Sequence, residues 1–433
     1  MKTPRPASML YPWLVVAILM LAYVLSFVDR QILTLLVKPI RTDLAISDTQ
    51  MSLLMGFSFA IFYTVCGIPL ARWADRGSRQ KLVIAGVLFW SLATAACGLA
   101  HRYIHLFLAR IGVGIGEAAL SPAAYSLITD YFPREQRATA LSVYGMGIYL
   151  GSGIAYLVGG AVIQFASVTG PLTLPLFGEI RPWQVVFLIL GGAGILFSSV
   201  LLLIREPARS QGHVTLPFGE VWAALKQRRR VILCHNFGFG LIALASYAAA
   251  SWIPSYFGRV HGWNMAQLGF VYGIVVLIFG TLGIVSAGRI ADMLIRRGVQ
   301  DATMRVGLWA AIGGIPASML YLLTTDAMTA AWLLAPATFF IAMPFGIAPA
   351  GVQEIVPPAM RAQASAVYLF IVNLIGLGMG PTAVALVTDY VFHDDAMVGQ
   401  SLLIVTIVSL SLGAALLGAG LKPYREALAA QRR

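Results

Sequence analysis

Long apolar runs recur from one end of the chain to the other, and they limit the folds that it can adopt. Each run has about the 20 residues that an α-helix needs to cross a hydrocarbon layer of ~30 Å. There are twelve such runs, at about 13–37, 51–71, 82–100, 103–127, 137–164, 183–204, 231–257, 267–288, 305–324, 330–353, 362–388 and 400–421. Because a backbone in lipid must satisfy its own hydrogen bonds, the runs predict an all-α membrane protein with twelve transmembrane helices.

Composition excludes an ordinary soluble domain. Charged residues make up only 11% of the 433 residues, less than half of the roughly 25% that soluble domains carry. The first run is too long for the core of a signal peptide, and no small-residue cleavage site follows it. We therefore expect it to remain as the first helix.

The net charge of +12 could suggest a nucleic-acid partner, but the basic residues concentrate in every second loop. The opposite loops hold only Lys38, Arg41, Arg102, Arg181 and Arg259. This is the positive-inside pattern. It predicts a multi-pass protein of the cell (inner) membrane, with both termini in the cytoplasm, membrane lipids around it and no nucleic-acid partner.

Cysteine and histidine give no sign of a metal site. Cys66, Cys97 and Cys234 lie inside apolar runs without motif spacing and are typical of small buried hydrophobic residues. We expect no metal and no cofactor, apart from the proton as a coupling ion.

An internal repeat divides the chain. The loop after the second run reads ARWADRGSRQK, and the loop after the eighth reads AGRIADMLIRRG, so that Asp75 and Asp292 occupy matching places. Six runs separate them, which is typical of tandem halves in a transporter. We predict two pseudo-symmetric six-helix bundles, residues 1–204 and 231–433. Between them, residues 205–230 form a cytoplasmic connector with a short amphipathic helix along Phe218, Val221, Trp222 and Leu225.

Four charges lie at membrane depth, where each costs several kcal/mol. Asp29 and Arg30 are adjacent in the first run, and Arg110 and Glu117 lie in the fourth. Arg110 and Glu117 are two helical turns apart, about 10 Å, on one face that Ser121 continues.

Several segments resemble the spinster group of the major facilitator superfamily. They are FVDRQILTLLVKPIRTDLAISDTQMSLL near the N-terminus, the loop with Gly67, Asp75, Arg76 and Arg79, LFLARIGVGIGEAALSPAAYSLITDYFP with Arg110 and Gly114, and the glycine-rich YGMGIYLGSGIAYLVGG. The resemblance implies a transporter in which the first and fourth helices of each half line a central cavity. It therefore implies that Asp29, Arg110 and Glu117 meet in the first half of that cavity.

Two interpretations of the buried charges stay open. They could be ion pairs that only hold two helices together, although such pairs are weak evidence for stability. Alternatively, a proton on Asp29 or Glu117 releases an arginine to hold an anion, which links proton and substrate binding reciprocally. In this second interpretation Asp29 and Glu117 are the proton-coupling groups, Arg110 is the anion anchor, and Arg30 and Ser121 contribute to substrate binding.

The loop residues Asp75, Arg76, Arg79 and Asp292 suit conformational gating, because Asp75 and Asp292 could cap positive helix N-termini on the cytoplasmic side. A solvated topological signal is the alternative for the arginines. In the second half, Asn236, Tyr247 and Asn373 are substrate-binding candidates, and Trp252 and Phe345 are further possible cavity linings.

The second half carries no acid or base in the middle of a span, so its side of the cavity should be more apolar. A solute with one charged and one apolar end fits that asymmetry. The prediction is a proton-linked secondary transporter of an amphipathic anion, such as a lysolipid or sphingoid phosphate, acting as a monomer. An organic-anion or sugar-acid transporter and a multidrug exporter stay open. An enzyme, an ion channel and an ATP-driven pump are disfavoured, since no catalytic constellation, symmetric pore or Walker-type loop is found.

Overall fold

The computed structural model describes residues 9–169, 172–174, 178–207, 225–357 and 360–431, leaving aside a few side chains inside helices, among them those of Asp75 and Arg76. The predicted amphipathic stripe of the connector lies outside these residues, except for Leu225.

In the described part of the chain, twelve helical segments are long and apolar enough to cross a membrane, which confirms the predicted number. We number them spans 1 to 12: Leu10–Leu35, Asp48–Ala74, Arg79–Cys97, Tyr103–Tyr131, Thr139–Phe165, Pro182–Leu203, Arg229–Val260, Met265–Arg296, Ala302–Leu323, Ala327–Glu354, Gln363–Phe392 and Asp395–Ala430. The fold is all-α and consists of two six-helix bundles.

Several spans are interrupted. Span 4 consists of the helices Tyr103–Glu117 and Leu120–Tyr131. The break comes directly after Glu117 because Pro122 has no N–H for the carbonyl four residues earlier, and its ring crowds that carbonyl. Ala118 and Ala119, between the two helices, keep helical backbone angles.

Wider π-helical turns interrupt three other spans. In span 2, the π-helical turn Leu53–Phe57 lies between the helices Asp48–Ser52 and Ser58–Arg76. In span 8, the turn Val276–Gly280 lies between the helices Met265–Val275 and Thr281–Arg296. In span 11, the turns Asn373–Met379 and Thr388–Phe392 lie before and after the helix Gly380–Val387. Such turns are rare and occur frequently at functional sites.

The remaining elements are short or extend the spans. Val37–Leu44 is a helix between spans 1 and 2, and the helices Arg134–Gly145 and Gly147–Thr169 contain span 5 and extend beyond both of its ends. The strands β1 (Leu172–Leu174) and β2 (Gly178–Ile180) pair antiparallel between spans 5 and 6. In span 6, the helix Pro182–Val200 ends in the 3-10 turn Leu201–Leu203. The helix Arg361–Val372 forms the beginning of span 11. In span 12, the 3-10 turn Asp395–Met397 precedes the helix Val398–Gln431. The strand pair was not predicted.

The chain forms two compact units that do not follow the repeat boundary. The first contains residues 1–32, 61–155 and 162–212, and the second contains residues 33–60, 156–161 and 213–433. The second unit therefore includes the end of span 1 and the beginning of span 2 together with spans 7 to 12.

Glycines bring helix backbones into contact in both units, as is common in membrane bundles. In the first unit, a Cβ added at Gly116 would lie 2.7 Å from the backbone nitrogen of Trp90, so spans 3 and 4 touch directly beside Glu117. In the second unit, a Cβ at Gly56 would lie 2.4 Å from the carbonyl oxygen of Leu377. Each of these two residues lies in a π-helical turn, so the two turns pack against each other.

Candidate functional site

The charged residues of spans 1 and 4 come together in the first unit. The Arg30 guanidinium contacts Glu117 twice, since both Nε and Nη2 lie 2.7 Å from Oε2. The Ser26 hydroxyl donates to the same oxygen at 2.5 Å. Ser26 and Arg30 are one helical turn apart, so span 1 presents both donors to one carboxylate.

Asp29 forms a second, looser pair. Its Oδ2 accepts a hydrogen bond from the Thr94 hydroxyl of span 3, and its Oδ1 lies 3.8 Å from Nη1 of Arg110. Among the described residues, Oδ1 of Asp29 and Oε1 of Glu117 accept no hydrogen bond. Each carboxylate thus keeps one buried oxygen that a proton or water could occupy.

The two arginines differ in access. The Arg110 side chain is 1% exposed, whereas that of Arg30 is 12% exposed. Asp29 is thus paired with Arg110 and Glu117 with Arg30 in the same unit, and Arg30 is the more exposed of the two cations. The role of Arg110 as anion anchor stays a prediction.

Four tyrosines, which were not predicted as site residues, lie near the Arg30 end of this group. The guanidinium of Arg30 lies over the rings of Phe27 and Tyr63, at 4.8 and 4.9 Å from their centroids. Tyr23 and Tyr144 stack with ring centroids 4.7 Å apart, and Tyr125 meets Tyr144 edge-on at 5.5 Å.

Ser121 belongs to the same cluster. Its hydroxyl lies 3.4 Å from that of Tyr144. Because Glu117, Ser121 and Tyr125 follow one another at four-residue spacing, they share one face of span 4.

The substrate-binding candidates of the second half lie on spans 7 and 11. Asn236 is fully buried, and its Oδ1 lies 2.9 Å from Nδ1 of His235. Tyr247 meets Phe345 edge-on with centroids 6.1 Å apart. Asn373 is partly buried at the start of a π-helical turn.

Trp252, a further possible cavity lining, lies inside the second unit. It is fully buried, and its indole N–H donates to the Pro381 carbonyl at 2.8 Å. Trp252 therefore links spans 7 and 11 through this hydrogen bond.

Among the predicted gating residues, Arg79 is buried and connects several segments of the first unit by hydrogen bonds and ion pairs. Its Nε donates to Oε1 of Glu206 at 2.7 Å, and its Nη1 contacts Asp130 and, at 2.9 Å, the hydroxyl of Ser126. Arg79 is therefore not a solvated topological charge.

Asp292 is exposed beside Arg289, Arg296 and Arg297 at the end of span 8. The side chains of Asp75 and Arg76 lie outside the described part of the chain. Gating by these residues stays a prediction.

A further ion-pair cluster, which was not predicted, lies within the second unit. Asp48, fully buried at the start of span 2, receives Nη1 and Nη2 of Arg259 at 2.5 and 2.7 Å and Nη1 of Arg41 at 3.0 Å. Arg41 also contacts Asp395 at 2.6 Å. Asp389 accepts hydrogen bonds from the backbone and hydroxyl of Thr49, both at 2.7 Å.

Three carboxylate groups of this cluster, those of Asp48, Asp389 and Asp395, approach one another within 4.8 Å. Arg41 and Arg259 already contact two of them. We therefore assign the cluster to ion pairing and not to metal binding. Burial alone would lower the pKa of Arg41, but its hydrogen bond to Asp395 and the charge of Asp48 raise it.

The fold agrees with the comparisons with known proteins. The model of the Major Facilitator Superfamily matches residues 19–381, and the chain belongs to this superfamily of membrane transporters. The predicted family and the prediction that the chain is not an enzyme are confirmed.

Individual relatives differ in what they are named for. A solved structure of a bacterial homologue of the human lysosomal transporter Spinster, inward-facing and unoccupied, has a TM-score of 0.83 and 28% identity, covering 97% of this chain and 99% of that one. An MFS-type efflux pump of Mycolicibacterium smegmatis is 30% identical over 93% of this chain and 91% of its own. A probable L-galactonate transporter of Escherichia coli is 25% identical over 75% and 72%.

Proposed function

We propose that the protein is a proton-linked secondary transporter of an amphipathic anionic solute, which works by alternating access. One observation carries the proposal: Glu117 is buried with two contacts of 2.7 Å to Arg30, while Arg30 itself is partly exposed. Glu117 can therefore take up a proton, and the Arg30 guanidinium is then available to bind an anion.

The coupling follows from charge balance. The two arginines and two carboxylates sum to zero, and an unbalanced charge is costly in a medium of low dielectric constant. A proton on Glu117 removes the counter-charge of Arg30 and leaves the guanidinium able to bind a carboxylate or phosphate. An anion on Arg30 in turn favours the proton on Glu117, since the linkage is reciprocal.

Asp29 would act as a second proton acceptor in the same site. Its loose contact of 3.8 Å to Arg110 leaves one carboxylate oxygen for a proton. Arg110 would then stabilise the anion from behind. The Thr94 hydroxyl, which donates to the other oxygen, would hold the carboxylate in place.

The assignment to a lysolipid or sphingoid phosphate is supported by the likeness to a sphingosine-1-phosphate transporter of Xenopus tropicalis, which is 25% identical over 86% of this chain and 73% of its own. The sequence of the second-half spans, which places no acid or base in their middle, also favours an apolar part of the solute on that side. We further propose placement in the inner membrane with cytoplasmic termini, and action as a monomer among membrane lipids.

The sign of the pH dependence separates this proposal from its alternatives. Anion binding should tighten as the pH falls, by at most about tenfold per pH unit for one coupled proton. A cationic drug, as an exporter would carry, should compete with the proton at Glu117 and bind more weakly at low pH. Binding of a sugar acid should change with pH in the same direction as binding of an amphipathic anion. Uptake of the sugar acid itself would therefore identify it as the solute.

The test uses the purified protein in proteoliposomes with an imposed pH gradient and a panel of lysophosphatidic acid, galacturonate and a cationic dye. Glu117→Gln mimics the protonated acid, so uptake should lose its response to the gradient. Glu179→Gln, at an exposed acid of β2, should behave as wild type. Unchanged pH dependence in both Glu117→Gln and Asp29→Asn would refute proton coupling at this site.

A further inference from the structure

The tyrosine cluster beside Arg30 contains one ring that packing does not cover. Tyr23 and Tyr144 are 8% and 0% exposed, but Tyr125 is 44% exposed. Tyr63 is partly buried. An exposed ring attached to a buried stacked pair offers an apolar surface whose position is already fixed.

The direction of Tyr125 follows from its neighbours on span 4. Glu117 contacts span 1 through Arg30, and Ser121 contacts span 5 through Tyr144. Tyr125 lies one turn further on the same face, with its ring edge against Tyr144. Its uncovered surface therefore lies on the side of the bundle that carries the buried charges.

Tyr63, on span 2, contacts Arg30 directly. Its ring lies 4.9 Å from the Arg30 guanidinium, within the range of a cation–π contact. An anion that reaches Arg30 thus meets the Tyr63 ring as the next surface. A solute consisting of an anionic group alone would leave the exposed Tyr125 ring uncovered.

We propose that Tyr63 and Tyr125 form an aromatic wall that binds the apolar part of the solute while its anionic group contacts Arg30. This inference rests on the proposed function, because it takes Arg30 as the anchor. The wall selects for an anion joined to a non-polar stem, which can be an acyl chain or the apolar face of a sugar ring. Tyr63 and Tyr125 would then determine specificity, and the ion pairs would determine coupling.

Binding to the full-length protein in lipid nanodiscs tests the wall with three probes. Glycerol 3-phosphate is the anionic group alone, 1-oleoyl lysophosphatidic acid adds an acyl chain, and galacturonate joins a carboxylate to a sugar ring. Tyr63→Leu and Tyr125→Leu should weaken the binding of a stem-bearing probe roughly five- to tenfold and leave glycerol 3-phosphate within about twofold. The stem-bearing probe that loses affinity identifies the source of the stem.

Two further variants serve as controls. Tyr125→Phe keeps the ring and should bind as wild type. Tyr390→Leu removes a tyrosine that is 65% exposed at the end of span 11 and should change no affinity. Equal losses for all probes, or no loss for any, in the Leu variants at Tyr63 and Tyr125 would overturn the wall.

Arg30→Lys separates failure of the wall from failure of the anchor. If Arg30 is the anchor, this variant should weaken glycerol 3-phosphate as strongly as the larger probes. Full affinity in Arg30→Lys together with a stem-specific loss in Tyr125→Leu would refute the anchor and keep the wall. The opposite pattern would keep the anchor and refute the wall, and a wild-type protein that binds none of the probes would refute both.

Discussion

Asp48 provides the sharpest test of what holds the second unit together. Its carboxylate is fully buried and takes three arginine contacts between 2.5 and 3.0 Å, from Arg259 and Arg41. Asp48→Asn keeps the shape of the side chain and removes its charge. The two arginines are then left facing each other with Asp395 as the nearest charged partner.

We expect Asp48→Asn to lower the free energy of unfolding by an amount at the lower end of the range for a broken buried ion pair. Removing one partner of such a pair typically costs about 3–5 kcal/mol. Here the arginine side chains are 18% and 20% exposed, and Asp395 remains in contact with Arg41. Water and Asp395 therefore recover part of the loss, and we expect about 3 kcal/mol.

The assay is chemical unfolding of the purified protein in a mild detergent, with Asp48→Asn, Arg259→Gln and the double variant as a cycle. Because Asp48 and Arg259 contact each other directly, the double variant should lose much less than the sum of the single losses. Glu179→Gln is the control, since it removes an exposed acid. Strict additivity in the cycle, or an Asp48→Asn loss no larger than that of the control, would refute the reasoning.

Two other variants test packing and charge. Gly56→Ala should destabilise the protein, because the new Cβ would lie 2.4 Å from the Leu377 carbonyl oxygen, whereas Gly67→Ala in the same span meets nothing within 4 Å; equal unfolding midpoints would contradict the close approach. Burial alone would raise the pKa of Glu206, but the Gln80 N–H and Arg79 lower it below the ordinary 4.5. Its contribution is thus present above pH 4.5 and lost as the pH falls through the lower folded pKa. Stability measured from pH 6 to pH 3 should fall less in Glu206→Gln, and parallel curves for variant and wild type would exclude the assignment.

The sequence predicted the spans and one half of the candidate site for physical reasons. Membrane helices need long apolar runs, so their number can be predicted from the sequence. A charge inside such a run is costly, so Asp29, Arg30, Arg110 and Glu117 are conspicuous in it. They do lie together in the first unit.

The remaining parts of the site depend on tertiary contacts. Tyr63 and Tyr125 are ordinary aromatic residues in apolar runs, and only the contact with Arg30 and the exposed ring distinguish them. Ser26 and Thr94 are two of many hydroxyl residues in the spans. Asp48 pairs with a residue 211 positions away, and its place at the end of a loop gives no sign of burial.

The membership of residues 33–60 in the second unit has a consequence for dissecting the molecule. A fragment that starts after the connector would contain Arg259 and Asp395 but neither Asp48 nor Arg41, and the Leu377 backbone would lose its contact with Gly56. Such a fragment would need a peptide covering residues 33–60 supplied in trans before it could regain its native packing. Gene cuts intended to isolate a working half should therefore respect this shared segment and not the point where the sequence repeat begins again.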